Sequence, residues 1–130
     1  MDNLKLIIIS GPSGVGKGTV ISNLVKEISI LQLAVSATTR KKRENEIDNS
    51  DYYFFSKKQF NEMIHNDAFI EYCNVHGNKY GTLMSEVVKI NKHKNICLLE
   101  IDTQGAKKIK KKLPNAKMIF LKPPSLNSLE

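Results

Sequence analysis

Four short apolar runs punctuate the chain: "LKLIIIS" at 4–10, "LQLAVSAT" at 31–38, "NICLLEID" at 95–102 and "AKMIFLK" at 116–122, each predicting a strand. They are continuous rather than alternating, so the strands are expected to be covered on both faces, as in a parallel sheet. Between the first two, Val20, Ile21, Leu24, Val25 and Ile28 recur at helical spacing on one stripe, which gives a strand, a helix and a strand in succession. The core is therefore α/β. The middle of the chain is shorter-grained and more polar: "YYFF" at 52–55, a helix carrying Phe60, Met63 and Ile64, and "FIEYCNVHG" at 69–77, all set between turn signals. This pattern predicts a small inserted subdomain. The lysine run "KKIKKK" at 107–112 reads as the solvated face of a helix. At the far end, "PPSLNSLE" offers Ser125 as an N-cap with Leu126 and Leu129 at helical spacing, so the chain is expected to be a fragment that stops inside a helix.

Composition narrows this picture only modestly. With 130 residues, 41% of them hydrophobic, the chain suits a single domain with a real core. A formal charge of +7 suits an anionic partner without choosing between nucleotide and nucleic acid. Cys73 and Cys97 lie in apolar runs without CxxC or Cys/His spacing, which argues against a zinc site or a disulfide and predicts reduced core residues of a cytoplasmic protein. The start "MDNLKLIIIS" has too short an apolar run, and no basic flank, for a signal peptide or a membrane span. Nothing in the pattern specifies an oligomeric state.

The chemistry begins at "IIISGPSGVGKGTV", where a strand, a glycine-rich turn and a helix follow one another with the P-loop spacing, Gly11, four residues, then Gly16 and Lys17. Gly11, Pro12, Ser13, Gly14, Val15, Gly16, Lys17, Gly18 and Thr19 are the candidate ATP-binding residues. Backbone N–H groups of such a loop turn inward around phosphate oxygens, the helix adds its positive end, and the lysine reaches the β- and γ-phosphates. One position departs from the motif: the residue after the lysine, usually the hydroxyl that faces Mg²⁺, is Gly18, and the hydroxyl comes one place later at Thr19. Magnesium is then expected to be held mainly by ATP oxygens and water.

A second anion site announces itself in "TTRKKRENEIDNSDYY" at 38–53. It contains Arg40 and Arg43, the only arginines of a chain that otherwise uses lysine for its cations. Two planar, bidentate cations in one short loop suggest a defined anion rather than general basicity.

Taken together, and in this order, "GPSGVGKGT", "VSATTRKKR", "DYYFF", "FIEY", "GNKYGT", "LLEIDTQGA" and "FLKPPS" resemble guanylate kinase over nearly the whole chain. The resemblance implies a P-loop NTPase-type three-layer core with a parallel sheet, from 1–35 and 83–130. It also implies an inserted GMP-binding α+β subdomain at 36–82. It implies that Arg40 and Arg43 clamp the GMP phosphate with help from Tyr52 and Tyr80, and that Lys17 and the two arginines carry catalysis. Guanine would be recognised by Glu71, supported by Ser36, Thr82 and Asp102. The choice of a carboxylate has a chemical reason: guanine presents adjacent N1–H and N2–H donors and adenine does not, and such a matched pair is worth about 1–3 kcal/mol. Each residue alone has a plainer reading. Glu71 is equally a surface glutamate of an alternating strand, Ser36 and Thr82 taken alone read first as partners of nearby backbone, and Asp102 is comparably the cap of the helix starting at "TQGAKK". Glu100, two residues before Asp102 at a strand end, is the candidate for a water-mediated Mg²⁺ contact.

The expected reaction is phosphoryl transfer from ATP to GMP, in which the nucleophile is already an anionic oxygen and no general base is required. Family members carry lid arginines after the "PPS" element, whereas this chain has no arginine after Arg43, so these 130 residues are expected to bind GMP and to turn over slowly or not at all. Three other readings compete. An adenylate-type kinase would have no use for the "FIEY" glutamate. A non-catalytic guanylate-kinase-like module that binds a phosphopeptide would not need Lys17 or an intact loop. A nucleic-acid binder rests on charge alone, without interleaved aromatic residues. The expected partners are thus GMP and ATP, with neither nucleic acid nor membrane.

Overall fold

The structure, a computed structural model, describes residues 4–12 and 16–122. Ser13, Gly14 and Val15 of the glycine-rich loop, and the helix expected from Ser125 onward, lie outside the described residues. In chain order the elements are β1 (Leu6–Ser10), α1 (Lys17–Glu27), β2 (Leu31–Leu33), β3 (Ala37–Thr38), β4 (Tyr53–Phe54), α2 (Lys57–His65), β5 (Phe69–Val75), β6 (Asn78–Leu83), α3 (Met84–Lys92), β7 (Ile96–Glu100), α4 (Thr103–Lys112) and β8 (Lys117–Phe120). They form two compact units, one from Met1–Leu33 with Ile90–Glu130, the other from Ala34–Lys89. No described helix is long and apolar enough to cross a membrane.

The first unit is built on a parallel sheet with strand order β2-β7-β1-β8. Alternation along β1 sends successive side chains to opposite faces. Ile9 joins Ile21 of α1 and Leu98 of β7 in one buried cluster, with Ile7, Leu24 and Val25 packed against it. Leu6, Ile8 and Ser10 face the other way, and there Ser10 Oγ donates to Thr103 Oγ1 at the start of α4, 3.4 Å away. Because α4 also buries Gly105, Ala106 and Ile109, the sheet lies between a helix on each face, the three-layer α/β arrangement.

Two-sided coverage holds for the central strands and fails at the edges. Ile8 and Ile9 of β1, and Cys97, Leu98 and Leu99 of β7, are buried, whereas β2 buries only Leu31. In β8 every residue is exposed, with Met118, Ile119 and Phe120 at 39%, 44% and 48%. Apolar content signals a strand but not its rank in the sheet, and an edge strand has a neighbour on one side only. Helix α1 also stops earlier than its apolar stripe: Ile28 is the C-cap, its N–H donating to Leu24 O, and its side chain is exposed.

The expected single strand at 31–38 is in fact two strands belonging to different sheets, β2 in the first unit and β3 in the second. Apolar and small residues continue through Ala34 and Val35, and neither glycine nor proline interrupts 31–38, so no strong breaker marks the change of sheet. Cys97 is buried as expected, but Cys73 is only half-buried, on β5 of the smaller sheet; neither is part of a disulfide.

The second unit is a mixed sheet of order β4-β3-β6-β5, with β3 and β4 parallel and the other pairs antiparallel. A two-residue turn, His76 and Gly77, both at positive φ, joins β5 to β6. Helix α2 begins with a capping box: Ser56 Oγ accepts from Gln59 N–H, and the Gln59 side chain accepts from Ser56 N–H. Its Phe60 is fully buried and stacks on Phe69, ring centroids 4.3 Å apart, in a cluster with Ala37 that Tyr53, Phe55, Met63, Ile64 and Leu83 complete. Gly81 lies on this core face. A Cβ there would meet Glu71 O and Phe69 Cδ1 at 2.9 Å and Tyr72 Cβ at 3.0 Å, so the close approach of β5 and β6 admits only hydrogen.

Candidate functional site

In the first unit the described part of the glycine-rich loop follows β1 at the C-terminal edge of the sheet, where parallel α/β sheets bind ligands. Gly16 is the N-cap of α1 with φ +92°, a left-handed conformation that glycine adopts without strain. The Lys17 ammonium donates to Gly11 O at 2.8 Å, which holds its charge across the loop. Gly18 and Thr19 occupy the exposed first turn of α1. A cavity of about 310 Å³ lined by Lys5, Ile30, Asn91, Lys94, Asn95 and Ile96 lies at the opposite edge of the same sheet, at the strand N-termini. It is remote from the loop chemistry, and Asn91 there is occupied in bonding both the N–H and the carbonyl of Lys5.

In the second unit, pairing register decides which residues share a face. Opposed residues on paired strands lie on the same side. Glu71 opposes Thr82, Cys73 opposes Tyr80, Tyr80 opposes Thr38, and Thr38 opposes Phe54. Tyr52, two before Phe54, falls on that face, and so does Ser36, two before Thr38. Ala37, Tyr53 and Gly81 alternate to the α2 side, where Ala37 and Tyr53 belong to the apolar cluster. Five predicted residues, Ser36, Tyr52, Glu71, Tyr80 and Thr82, therefore occupy one face, opposite the hydrophobic core. Thr82 is buried and Glu71 half-buried.

Arg40 closes one end of this face. Its guanidinium carbon lies 5.2 Å from the Tyr52 ring centre and 5.9 Å from that of Phe54, and the Tyr52 and Tyr80 rings are 6.1 Å apart, edge to face. Glu46 grips the guanidinium bidentately, Nη1 donating to Oε1 at 3.0 Å and Nη2 to Oε2 at 2.8 Å. Both side chains are only 15% exposed. The same carboxylate accepts the Arg43 backbone N–H at 2.8 Å, so the 40–46 loop is wound around one anion. The hydrogen bond from Arg40, reinforced by the Arg43 N–H, lowers the Glu46 carboxyl from 4.5 to about 2. Glu46 in turn raises the Arg40 guanidinium above its ordinary value, with the Tyr80 and Tyr52 hydroxyls adding to the effect. The Arg43 side chain itself is exposed.

Glu46 was not among the residues expected from the sequence. A signal existed: two arginines in so short a loop call for a counter-anion. Glu44 and Glu46 both lie within reach along the chain, and only the folded loop distinguishes them. Asp102 has a structural partner of its own. It is the N-cap of α4, with Oδ1 accepting from Gly105 N–H at 2.7 Å, which is the plainer of its two readings. Glu100 ends β7 beside Ile9 of β1 and is exposed. Among the described residues no group of three or more His, Cys, Asp or Glu is placed to hold a metal ion, and Gly18 offers no hydroxyl, so the donor set does not form a protein magnesium cage.

Residues 3–130 match the family model described as guanylate kinase. A guanylate kinase of Clostridioides difficile is 46% identical over 125 residues, covering 96% of this chain and 61% of that protein. One from Prochlorococcus marinus is 49% identical over 131 aligned positions, covering 100% of this chain and 71% of that protein. The crystal structure of guanylate kinase from Anaplasma phagocytophilum superposes with a TM-score of 0.74 at 30% identity, covering 99% of this chain and 65% of the other. The chain thus spans roughly three-fifths to seven-tenths of the length of these relatives.

Proposed function

The chain belongs to the guanylate kinase family, and from that premise we propose that the protein transfers the γ-phosphoryl group of ATP to GMP, giving ADP and GDP. The observation that carries this reading is the composition of one face of the smaller sheet: Glu71 opposite Thr82, Ser36 and Tyr80 nearby, and Arg40 lying over Tyr52 at the end. A purine monophosphate needs hydrogen-bond recognition at the base and a bidentate cation at the phosphate, and this face offers both. Glu71 accepts from guanine N1–H and N2–H, while the Ser36 and Thr82 hydroxyls donate toward O6. Arg40 and Arg43 hold the phosphate with the Tyr52 and Tyr80 hydroxyls, and Asp102 supports the base.

The donor is ATP, bound at Gly11, Pro12, Ser13, Gly14, Val15, Gly16, Gly18 and Thr19, with Lys17 neutralising phosphate charge. Magnesium comes with the ATP phosphates and supplies charge neutralisation at the transferring group, with Glu100 as the one carboxylate assigned to its water shell. The protein's part is positioning and electrostatics. It holds the acceptor oxygen, already anionic, in line, and it meets the spreading charge with Lys17, Arg40 and Arg43. Two cysteines outside any disulfide suit a reducing compartment, and the protein is assigned to the cytoplasm and to purine nucleotide metabolism.

Calorimetric titration with GMP and then AMP tests the proposal. GMP binds, and AMP binds roughly tenfold to a hundredfold more weakly, the ratio expected of one matched carboxylate pair. Equal affinities would remove Glu71 from the site, and absence of GMP binding by the folded chain would refute the proposal.

A further inference from the structure

Among the described residues, one charged side chain is buried, and it lies outside the site described above. Glu86, in the first turn of α3, is 3% exposed. A buried carboxylate is costly unless its oxygens are satisfied, and this one is fully engaged. Oε2 accepts Val35 N–H at 2.7 Å, Oε1 accepts the Tyr53 hydroxyl at 2.6 Å, and the Lys89 ammonium lies 3.2 Å from Oε1. Lys89 also donates to the Tyr53 oxygen at 3.0 Å and sits over its ring. Burial and the adjacent Glu86 raise the Tyr53 hydroxyl above its ordinary value, so at neutral pH it stays a donor.

The two groups Glu86 holds are chain neighbours of two site residues. Val35 precedes Ser36, and Tyr53 follows Tyr52. Glu86 holds Val35 by its backbone N–H and Tyr53 by its hydroxyl, while the alternation of extended backbone turns the Ser36 and Tyr52 side chains to the other face, that of Glu71 and Tyr80. The two segments are tied to each other as well, since Tyr53 N–H donates to Ser36 O at 2.9 Å. Strands β3 and β4 share only two residue pairs, which is too short a ladder to fix its own register firmly. We propose that Glu86 is a positioning residue for the nucleotide site, a carboxylate strap that sets Ser36 and Tyr52, one for the base and one for the phosphate, at the spacing a single nucleotide requires. An apolar residue of similar volume would fill the same space, often without loss of stability, but would leave the register unset.

This inference rests on the GMP reading of the site, and its test separates the two. The wild-type chain, Glu86→Ala, Glu86→Gln and Tyr53→Phe are titrated with GMP, and with ATP as the control ligand, well below each variant's melting temperature. Tyr53→Phe weakens GMP roughly threefold and Glu86→Ala roughly tenfold, while Glu86→Gln, which keeps one acceptor oxygen, falls between them. ATP affinity is unchanged in all three. Variants that lower the melting temperature but bind GMP as the wild type does would overturn the proposal, because a purely structural carboxylate moves stability alone. If the Glu86 variants do not fold, Tyr53→Phe decides: unchanged GMP affinity refutes the strap and weakened affinity supports it. A wild-type chain that binds no GMP overturns the functional reading and this inference together.

Discussion

Replacing Gly81 with alanine tests how closely the site face depends on the core face behind it. The new Cβ would lie 2.9 Å from Glu71 O, 2.9 Å from Phe69 Cδ1 and 3.0 Å from Tyr72 Cβ. Carbon contacts are comfortable at about 3.5–4.0 Å, so each of the two carbon contacts is short by at least half an ångström. The oxygen is main chain and cannot rotate away. Strands β5 and β6 must therefore separate where Glu71 opposes Thr82. Overpacking of this kind costs about 1–3 kcal/mol, and the lower entropy of an unfolded chain carrying alanine returns about 0.4–1 kcal/mol of it. The net loss is about 1–2 kcal/mol, which for a domain of this size lowers Tm by roughly 4–8 °C. The carbonyl pushed aside belongs to Glu71, so its carboxylate moves with it, and GMP affinity falls by about tenfold while AMP affinity falls less. Thermal melting by circular dichroism, followed by titration of both nucleotides, gives the two readouts. A variant that melts at the wild-type temperature or above would refute the packing argument. One that melts lower yet keeps its preference for GMP would refute the link between that packing and Glu71.

Two further substitutions address the electrostatics. Glu46 titrates near 2 when folded against 4.5 ordinarily. Its contribution is complete above pH 4.5 and is lost as pH falls toward 2. Glu46→Gln should therefore be less stable than wild type in urea at neutral pH, with the gap closing across that window; a gap independent of pH would mean that the carboxylate's charge does not matter. Asp102→Asn should leave Tm unchanged, because asparagine caps a helix about as well as aspartate, and should weaken GMP binding; undiminished affinity would confine Asp102 to capping α4.

How far the sequence discloses this molecule depends on the range over which each feature is determined. The strand, glycine turn and α1 helix are set within some twenty consecutive residues by periodicity and by Gly16, and they are legible directly. So is α2, whose Ser56 and Gln59 spell out a capping box. The division of 31–38 between two sheets is invisible, because neither glycine nor proline separates the halves and the segment between them is tied at the Val35 N–H by Glu86, 51 positions away. The exposure of β8 is hidden for a related reason: "KMIF" reads as core, and only its place at the sheet edge leaves it open. The candidate site divides the same way. Glu71, Tyr80 and Thr82 were recognisable from their motifs, but that they share a face with Ser36 and Tyr52 follows from strand register, a long-range property. Asp102 was legible both as a cap and as a site residue, and the fold displays the cap.

Arg40 shows why an arginine stands at this position in a chain otherwise supplied with lysine. Arginine has five N–H donors in a rigid plane. Three are engaged within the loop, on Glu46 Oε1, Glu46 Oε2 and Lys41 O. Those bonds, with the rings of Tyr52 and Phe54 beneath, fix the plane of the guanidinium and hold it charged, so a binding anion need not order a flexible side chain. The Tyr52 and Tyr80 hydroxyls favour the charged guanidinium by hydrogen bonding to it. A lysine here could meet Glu46 only as a point charge, because its single ammonium has no plane to be fixed by a carboxylate and two rings at once. If Arg40 holds the GMP phosphate as proposed, Glu46 aims the residue rather than competing for it, since the plane and charge of the guanidinium are set within the loop.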